Sequence, residues 1–121
     1  MPISTIRPLV ITGGWSISSG SVGATLTVIK PGAGQLGGWF IYNSNAVVAY
    51  CQFFDSSGSG IVLGTSIPVM SFGIPSAAGA NIPPAGNMGI QFNSGIIIAF
   101  TTTRTGSTAN ANTVDYNFWF K

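Results

Sequence analysis

The sequence is short of charge and contains neither histidine nor glutamate. Four lysines and arginines and two aspartates are its charged residues, so only 5% of the 121 residues carry charge. General acid–base catalysis at neutral pH usually uses histidine or a carboxylate with a shifted pKa, and a serine or cysteine nucleophile needs a base beside it. Asp55 and Asp115 lie far apart in the sequence and suit loop and strand-surface roles. We therefore expect a protein that is not an enzyme.

Cysteine is nearly absent as well. The single cysteine, Cys51, excludes an internal disulfide and lies in the most apolar stretch of the chain, which is typical of a buried core residue. One cysteine, two aspartates and no histidine cannot form a zinc shell. A calcium site that uses Asp55, backbone carbonyls and asparagine remains an alternative. We expect no cofactor and no metal.

Clusters of positive charge and long hydrophobic runs are also missing. The four cations, which are scattered, are Arg7, Lys30, Arg104 and Lys121. Nucleic-acid binding needs clustered cations to neutralise phosphates, so we expect no nucleic-acid partner. The longest apolar run, near residues 96–100, is far too short to span a membrane, and Leu9-Val10-Ile11 is too short for a signal-peptide core. We expect no membrane partner and synthesis in a reducing cytoplasm.

Short β-branched and aromatic runs, separated by glycine, serine, asparagine and proline, dominate what is present. They predict strands near residues 7–12, 22–30, 38–43, 46–54, 67–74, 87–92, 95–103 and 113–121, with longer loops at 13–21, 31–37, 55–66, 75–86 and 104–112. No stretch has helical periodicity. This spacing predicts an all-β fold, a single β-sandwich of about eight strands that is jelly-roll-like. We assign residues 9–121 to this domain and residues 1–8 to an N-terminal arm.

Two strands have informative patterns. In 113–121, Val114, Tyr116, Phe118 and Phe120 share one face and Asp115, Asn117, Trp119 and Lys121 share the other. The run 46–54 is apolar on both faces, which is typical of a central strand or one under an interface. Two tight turns, 43–45 and 93–95, are predicted between neighbouring strands.

The glycine pattern Gly32-Ala33-Gly34-Gln35-Leu36-Gly37 matches a dinucleotide-binding motif, but the segment after it is aromatic and β-branched. Because that motif needs a helix whose N-terminus faces the pyrophosphate, we interpret the glycines as part of a β–β loop.

Four residues are candidates for partner binding. Trp15 lies in a glycine/serine loop and Trp119 on the polar side of the last strand, which leaves two alternatives for each: an exposed tryptophan that anchors a protein interface or stacks on sugars, or a tryptophan half-buried at an end of the sandwich. Ile6 and Arg7 lie in the proline-containing arm, which we expect to order against a neighbouring subunit. Trp39 begins a strand and is predicted to be a core residue.

The charge-poor surface must be built from serine, threonine, asparagine, glutamine and backbone, which resists association weakly. We expect much of it to be covered by copies of the chain or by a partner. Edge strands without lysine are also safer when they are paired or covered.

Several packing and turn segments support a resemblance. They are Gly38-Trp39-Phe40-Ile41-Tyr42-Asn43, Gln52-Phe53-Phe54-Asp55, Ile67-Pro68-Val69, Gly73-Ile74-Pro75, Ile90-Gln91-Phe92-Asn93-Ser94-Gly95-Ile96 and Thr101-Thr102-Thr103 before the closing aromatic strand. In these the whole chain resembles the small β-sandwich virion proteins of tailed phages and prophages, of the capsid decoration (cement) type. The resemblance implies a location on the capsid surface, a homo-oligomer that is commonly a trimer, and the major capsid protein as partner.

Two other functions stay open. A carbohydrate-binding or receptor-binding module would use Trp15 or other loop aromatics to stack on a glycan. A tail or fibre subunit would polymerise, or would need a neighbour to stay soluble. The decoration protein is the reading that the sequence favours.

Overall fold

The structure, a computed structural model, describes residues 14–83 and 89–121, and within these ranges all regular structure is β-strand. The strands are β1 (Ser16–Val22), β2 (Thr27–Lys30), β3 (Gly34–Asn43), β4 (Ala49–Asp55), β5 (Met70–Ile74), β6 (Ala78–Ile82), β7 (Ile90–Phe92), β8 (Ile96–Thr101) and β9 (Val114–Phe120). No helix long and apolar enough to cross a membrane occurs in these ranges.

The strands form two antiparallel sheets that pack face to face. The first sheet has the order β1-β9-β3-β6, with β7 paired to the start of β3, and the second has the order β2-β8-β4-β5. With β7 set aside as an additional short strand, this is the strand order of a jelly roll. The predicted all-β, jelly-roll-like sandwich is confirmed.

The core lies between the sheets and follows the alternation of side chains along each strand. Tyr116 and Phe118 of β9 point into it beside Trp39 and Ile41 of β3, their cross-strand neighbours. Phe53 of β4 meets Phe118 edge-on across the gap between the sheets, with ring centroids 5.6 Å apart. The predicted inward face of the last strand is therefore confirmed, and Trp39 packs against the core as predicted.

The second sheet is buried at its centre. All six residues of β8 are buried, and five of the seven residues of β4 are. A strand that is apolar on both faces must be covered on both sides, which is what the run 46–54 predicted. Cys51 of β4 is fully buried in the core, as expected.

The described residues contain nine strands, which agrees with the prediction of about eight, but four local assignments need correction. β1 occupies most of the predicted loop 13–21, and β6 lies within the predicted loop 75–86. β3 begins inside the predicted loop 31–37, and the predicted strand 22–30 yields only β2 and the last residue of β1. Serine, glycine, alanine and asparagine fill β1 and β6, and these residues carry little β-propensity. Both strands form because they pair with a stronger strand beside them, β9 and β3.

The connections cross between the sheets. The turn 43–45 leads from β3 in the first sheet to β4 in the second, and 93–95 leads from β7 to β8, so neither closes a hairpin. Asn43 is buried at the first of these turns and donates to the carbonyls of Val47, Ile74 and Pro75. The interpretation of residues 32–37 as a β–β loop needs correction, because Gly34 and Gly37 lie within β3; strand rather than helix follows the glycine pattern. The predicted strand 7–12 and the arm 1–8 lie outside the described residues.

Candidate interaction surface

The outer side of the first sheet carries the side chains that alternate with the core residues. We call it the open face. It comprises Trp15, Ile17, Ser19, Ser21, Gly38, Phe40, Tyr42, Gly79, Asn81, Asp115, Asn117, Trp119 and Lys121. Strand β9 lies between β1 and β3, so the side of residues 113–121 that was predicted to be polar forms part of the open face.

The middle of the open face exposes large apolar side chains. Ile17, Phe40 and Tyr42 are 40%, 42% and 48% exposed. Trp119 lies next to two of them: it is only 3% exposed and meets the Phe40 ring edge-on at 4.6 Å between centroids. Trp119 is the direct cross-strand partner of Ile17, whereas Tyr42 lies further along the sheet, opposite Asp115. Ile17 and Phe40 thus flank a buried indole.

Hydrogen bonds between neighbouring strands fix the polar part of the open face. The Ser19 hydroxyl donates to Asn117 Oδ1 at 2.7 Å, and the Ser21 hydroxyl donates to the carboxylate of Asp115. Asn117 Nδ2 donates to the carbonyl of Phe40 at 3.3 Å. These side chains are held in place although they face outward, so this surface is ordered before any partner meets it.

Trp15 forms one corner of the open face and is 6% exposed. Lys121 Nζ lies 4.5 Å from the centroid of its ring, within cation–π range. The ring lies so close to Gly37 and Gly89 that a Cβ on either would come within 2.6 Å and 3.0 Å of it. Glycine at these two positions therefore makes room for the indole.

Of the two alternatives for the tryptophans, the structure shows burial for both. Trp119 was assigned to solvent because it alternates with core residues, but Phe40 and Ile17 on the neighbouring strands cover it. Trp15 was assigned to a loop, but it precedes β1 directly and packs on glycine backbone. Both residues support the interaction surface from below, and whether they contact a partner stays a prediction. Ile6 and Arg7 lie outside the described residues, so their role also stays a prediction.

The indole nitrogen of Trp119 is a buried donor that has no acceptor within the described part of the chain. An unpaired buried donor costs about 1–3 kcal/mol.

The outer side of the second sheet differs, because the chain covers it with its own loops. Its central side chains, all buried, are Gln52, Phe54, Ile97, Ala99 and Thr101; we call this the covered face. Gln52 Nε2 donates to Thr101 Oγ1 at 2.6 Å and to the carbonyl of Gly106 at 2.9 Å. The second of these bonds ties the covering loop 102–113 to the sheet.

The second covering loop, 56–69, meets the first above the sheet. A Cβ on Gly64 would lie 3.3 Å from the side chain of Ser107, so the two loops touch. These loops expose apolar residues of their own, since Val62, Ile67 and Val69 are more than half exposed. An open groove lined in part by Ile67, Val69 and Arg104 lies beside β5. Apolar exposure on this side therefore lies chiefly in loops, with Val28 of the outer strand β2, 46% exposed, beside them.

The two side chains considered as possible reactive groups, Asp55 and Cys51, have structural roles. Both carboxylate oxygens of Asp55 accept backbone N–H bonds, from Asn93 at 3.0 Å and from Ser94 at 2.7 Å and Gly95 at 3.3 Å. The bonds from Asn93 and Ser94 lower the pKa of Asp55. Burial raises the pKa of the Cys51 thiol. The described residues contain no group of three or more histidine, cysteine or acidic side chains placed to hold a metal ion.

No family model and no curated protein matches the chain. A chain from a structure of Bacillus endospore appendages, described as a novel family of disulfide-linked pili, aligns over 95% of this chain and 96% of that one. The two share 10% sequence identity and a TM-score of 0.43, and a likeness of that size does not extend to function. Disulfide linkage is a description of that protein.

Proposed function

We propose that this chain is a non-enzymatic structural subunit of a tailed-phage virion, and that it decorates the capsid exterior, where it stabilises the shell. Its partners are copies of itself and the major capsid protein. The resemblance of its packing and turn segments to capsid decoration proteins supports the virion context. The physical features described above support the structural role independently of that resemblance.

One observation carries the proposal: within residues 14–83 and 89–121, loops cover the centre of the second sheet, whereas the first sheet exposes Ile17, Phe40 and Tyr42 on its outer side. Large apolar side chains exposed on a sheet and bordered by polar residues are typical of a protein interface. Uncharged polar side chains of the two outer strands border them, Ser19 and Ser21 on β1 and Asn81 on β6, which suits a subunit locked into an assembly.

The structural roles of Asp55 and Cys51 also support a non-enzymatic function. The Asp55 carboxylate caps the turn before β8 through three backbone N–H groups. Cys51 lies in the core, where burial raises the pKa of its thiol and keeps it protonated. Each group stabilises the sandwich where it stands.

The test is co-sedimentation of the full chain with empty capsids of the tailed phage or prophage that encodes it. We expect the protein to pellet with capsids at a saturating ratio and to raise the temperature at which they disrupt. Phe40→Ser should weaken this binding, and Val62→Ser, which removes a comparably exposed apolar side chain from a loop, should not. A chain that ignores capsids but pellets with tails would replace decoration with the tail or fibre role. Binding to neither would overturn the virion proposal.

The glycan-binding alternative loses one of the residues on which it stood, because the indole ring of Trp15 is buried against Gly37 and Gly89. The exposed aromatic residues of the open face, Phe40 and Tyr42, lie on strand β3 rather than in a loop. Saturable glycan binding that disappears in Tyr42→Ala would restore that alternative.

A further inference from the structure

We propose that the segment Leu9-Val10-Ile11, which lies outside the described residues, docks its aliphatic side chains into a crevice at the edge of the first sheet of its own chain. This inference goes beyond the proposed function, because it concerns how the domain is completed and where the arm 1–8 leaves it. The docking surface itself consists of described residues.

The crevice lies where two short strands share one edge of β3. Strand β7 pairs with residues 34–36 and β6 pairs with residues 39–43, so neither pairs with Gly37 or Gly38 between them. The gap is a crevice of about 220 Å³. Its walls are the side chains of Leu36, Trp39, Ile82 and Ile90, and the backbone of three glycines completes them.

The size and lining of the crevice define its occupant. Pockets for small-molecule ligands usually measure about 300–1,000 Å³ and carry a few placed polar groups. This crevice is smaller, and none of its described lining residues has a polar side chain other than the indole of Trp39. Ile82 and Ile90 at its mouth are 48% and 44% exposed, so an apolar occupant would remove them from water. One or two aliphatic side chains therefore fit better than a cofactor or a sugar.

The chain enters the described structure beside this crevice. The Trp15 ring packs on Gly37 and Gly89, which both line it: a Cβ on either would come within 2.6 Å and 3.0 Å of the ring. Gly14 has a φ of +78°, a left-handed conformation that turns the chain immediately before Trp15. The segment that precedes Gly14 can therefore double back toward the crevice instead of continuing the line of β1.

The length of chain before Gly14 fits as well. Ile11 and Leu9 precede Gly14 by three and five residues, which span at most about 11 Å and 18 Å when extended. In an extended segment Leu9 and Ile11 share one face, and Val10 lies on the other. The short tether thus brings two aliphatic side chains to a crevice that has room for one or two.

The tether also favours this occupant over the same segment of another copy. A segment joined to its site by a few residues has an effective concentration in the millimolar range, so even a weak contact stays occupied within one chain. Docking then fixes the place at which the arm 1–8 leaves the domain, at the edge formed by β6 and β7.

The first experiment is NOE spectroscopy of the full chain with isotope-labelled methyl groups. We expect NOEs from Leu9 or Ile11 to Leu36, Ile82 or Ile90, and they should persist when the labelled chain is mixed with an excess of unlabelled chain.

Three results would overturn the proposal. Loss of the NOEs in the mixture would assign the crevice to the segment of a neighbouring copy. NOEs from Met88 in place of Leu9 and Ile11 would assign it to the residues that follow Pro83. Absence of NOEs from any methyl group of residues 9–11 would show that the segment does not dock.

The second experiment compares two substitutions within the segment by hydrogen exchange. Ile11→Ser removes an aliphatic side chain from the proposed contact, and Val10→Ser, the matched control, removes one from the opposite face. Amide exchange of Gly89 and Ile90 should rise at least about tenfold in Ile11→Ser and stay within about twofold in Val10→Ser. The amides of β8 report on folding and should be unchanged in both variants.

Equal effects of the two substitutions on Gly89 and Ile90, or no effect of Ile11→Ser, would contradict the docking. If Ile11→Ser also loosens β8, Ile11→Val makes the same comparison with a smaller loss of contact. Both experiments use the chain without capsids, so their failure differs from failure of the proposed function. A docked segment in a chain that ignores capsids overturns the capsid role alone.

Discussion

The two outer faces of the sandwich are built from the same kinds of strand and are treated differently by the chain. Over the second sheet, Gln52 and Phe54 lie beneath the loops 56–69 and 102–113 and are buried. Over the first sheet, Phe40 and Tyr42 of β3 stand in the open. The covered face belongs to the fold of the monomer, and the open face is available to an assembly.

The comparison also shows how a chain with so little charge manages its surface. Buried polar groups are used on the covered face, where the Gln52 amide ties a loop to the sheet through the carbonyl of Gly106. On the open face the polar groups are serine and asparagine bonded across strands, as with Ser19 and Asn117. Such groups cost little to desolvate together, because their hydrogen bonds are already made. Side chains on the two faces should therefore differ in what they contribute to stability.

The largest expected effect comes from truncating phenylalanine on the covered face. Phe54→Ala should lower the free energy of unfolding by about 3–5 kcal/mol, because it leaves a cavity beneath the covering loops. Phe40→Ala on the open face should cost well under half of that, since its ring is already partly in water and loses chiefly its contact with Trp119. Urea denaturation of dilute protein measures both. Equal losses would show that the open face is as much a part of the monomer as the covered one.

The next effect is smaller and concerns the bond between sheet and loop. Gln52→Leu keeps the volume but leaves the Gly106 carbonyl and one bond of the Thr101 hydroxyl unmade, so we expect a loss of about 1–3 kcal/mol. Hydrogen exchange should rise in residues 102–113 and stay unchanged in β9. Asn117→Leu is the matched change on the open face. If it loosens the same loop, the effect of Gln52→Leu is not specific to the covered face.

The sequence predicted the covered face better than the open one, for a physical reason. The run 46–54 and the apolar stretch at 96–100 are hydrophobic on both sides, which states directly that both sides are covered. The extent of the open face was missed because its outer strands, β1 and β6, consist largely of small or polar residues that are typical of loops. These two strands form only by pairing with β9 and β3. Strand order in a jelly roll arises from contacts between distant segments, which a local pattern does not encode.

The two tryptophans show the same limit at the level of single residues. Alternation placed Trp119 on the outward side correctly but could not reveal that Phe40 covers it, because that contact joins β9 to β3. The burial of Trp15 depends on Gly37 and Gly89, which leave space only in the folded sheet. Close approach to a glycine from a distant strand leaves no periodic signal. Aromatic residues beside glycine-rich segments were the available hint.

A pH effect should follow from the turn that begins β8. The backbone N–H bonds from Asn93 and Ser94 lower the pKa of Asp55 in the folded state, so the stabilisation is present above the unfolded pKa of about 3.9 and is lost as pH falls through the lower folded value. Solvent screens this exposed carboxylate, so we expect less than for Gln52→Leu. Asp55→Asn should remove this part of the acid sensitivity.

Urea midpoints of the wild type and Asp55→Asn at pH 5, 3 and 2 measure that difference. Asp115→Asn removes the same charge from the open face and controls for the change in net charge. Wild-type and Asp55→Asn midpoints that fall in parallel would contradict the proposed role of the turn. Convergence of the two curves at the lowest pH would agree with it.

The smallest expected change in stability lies at the edge of the open face. Ile17→Thr keeps a β-branched side chain in β1, and because Ile17 is 40% exposed, the free energy of unfolding should change by about 1 kcal/mol or less. The same substitution removes apolar surface from the open face. We therefore expect a variant of nearly wild-type stability whose binding to empty capsids is clearly weaker, measured by urea denaturation and co-sedimentation. A large loss of stability with unchanged association would contradict this assignment, because it would show that Ile17 of the open face serves the fold of the monomer rather than an assembly.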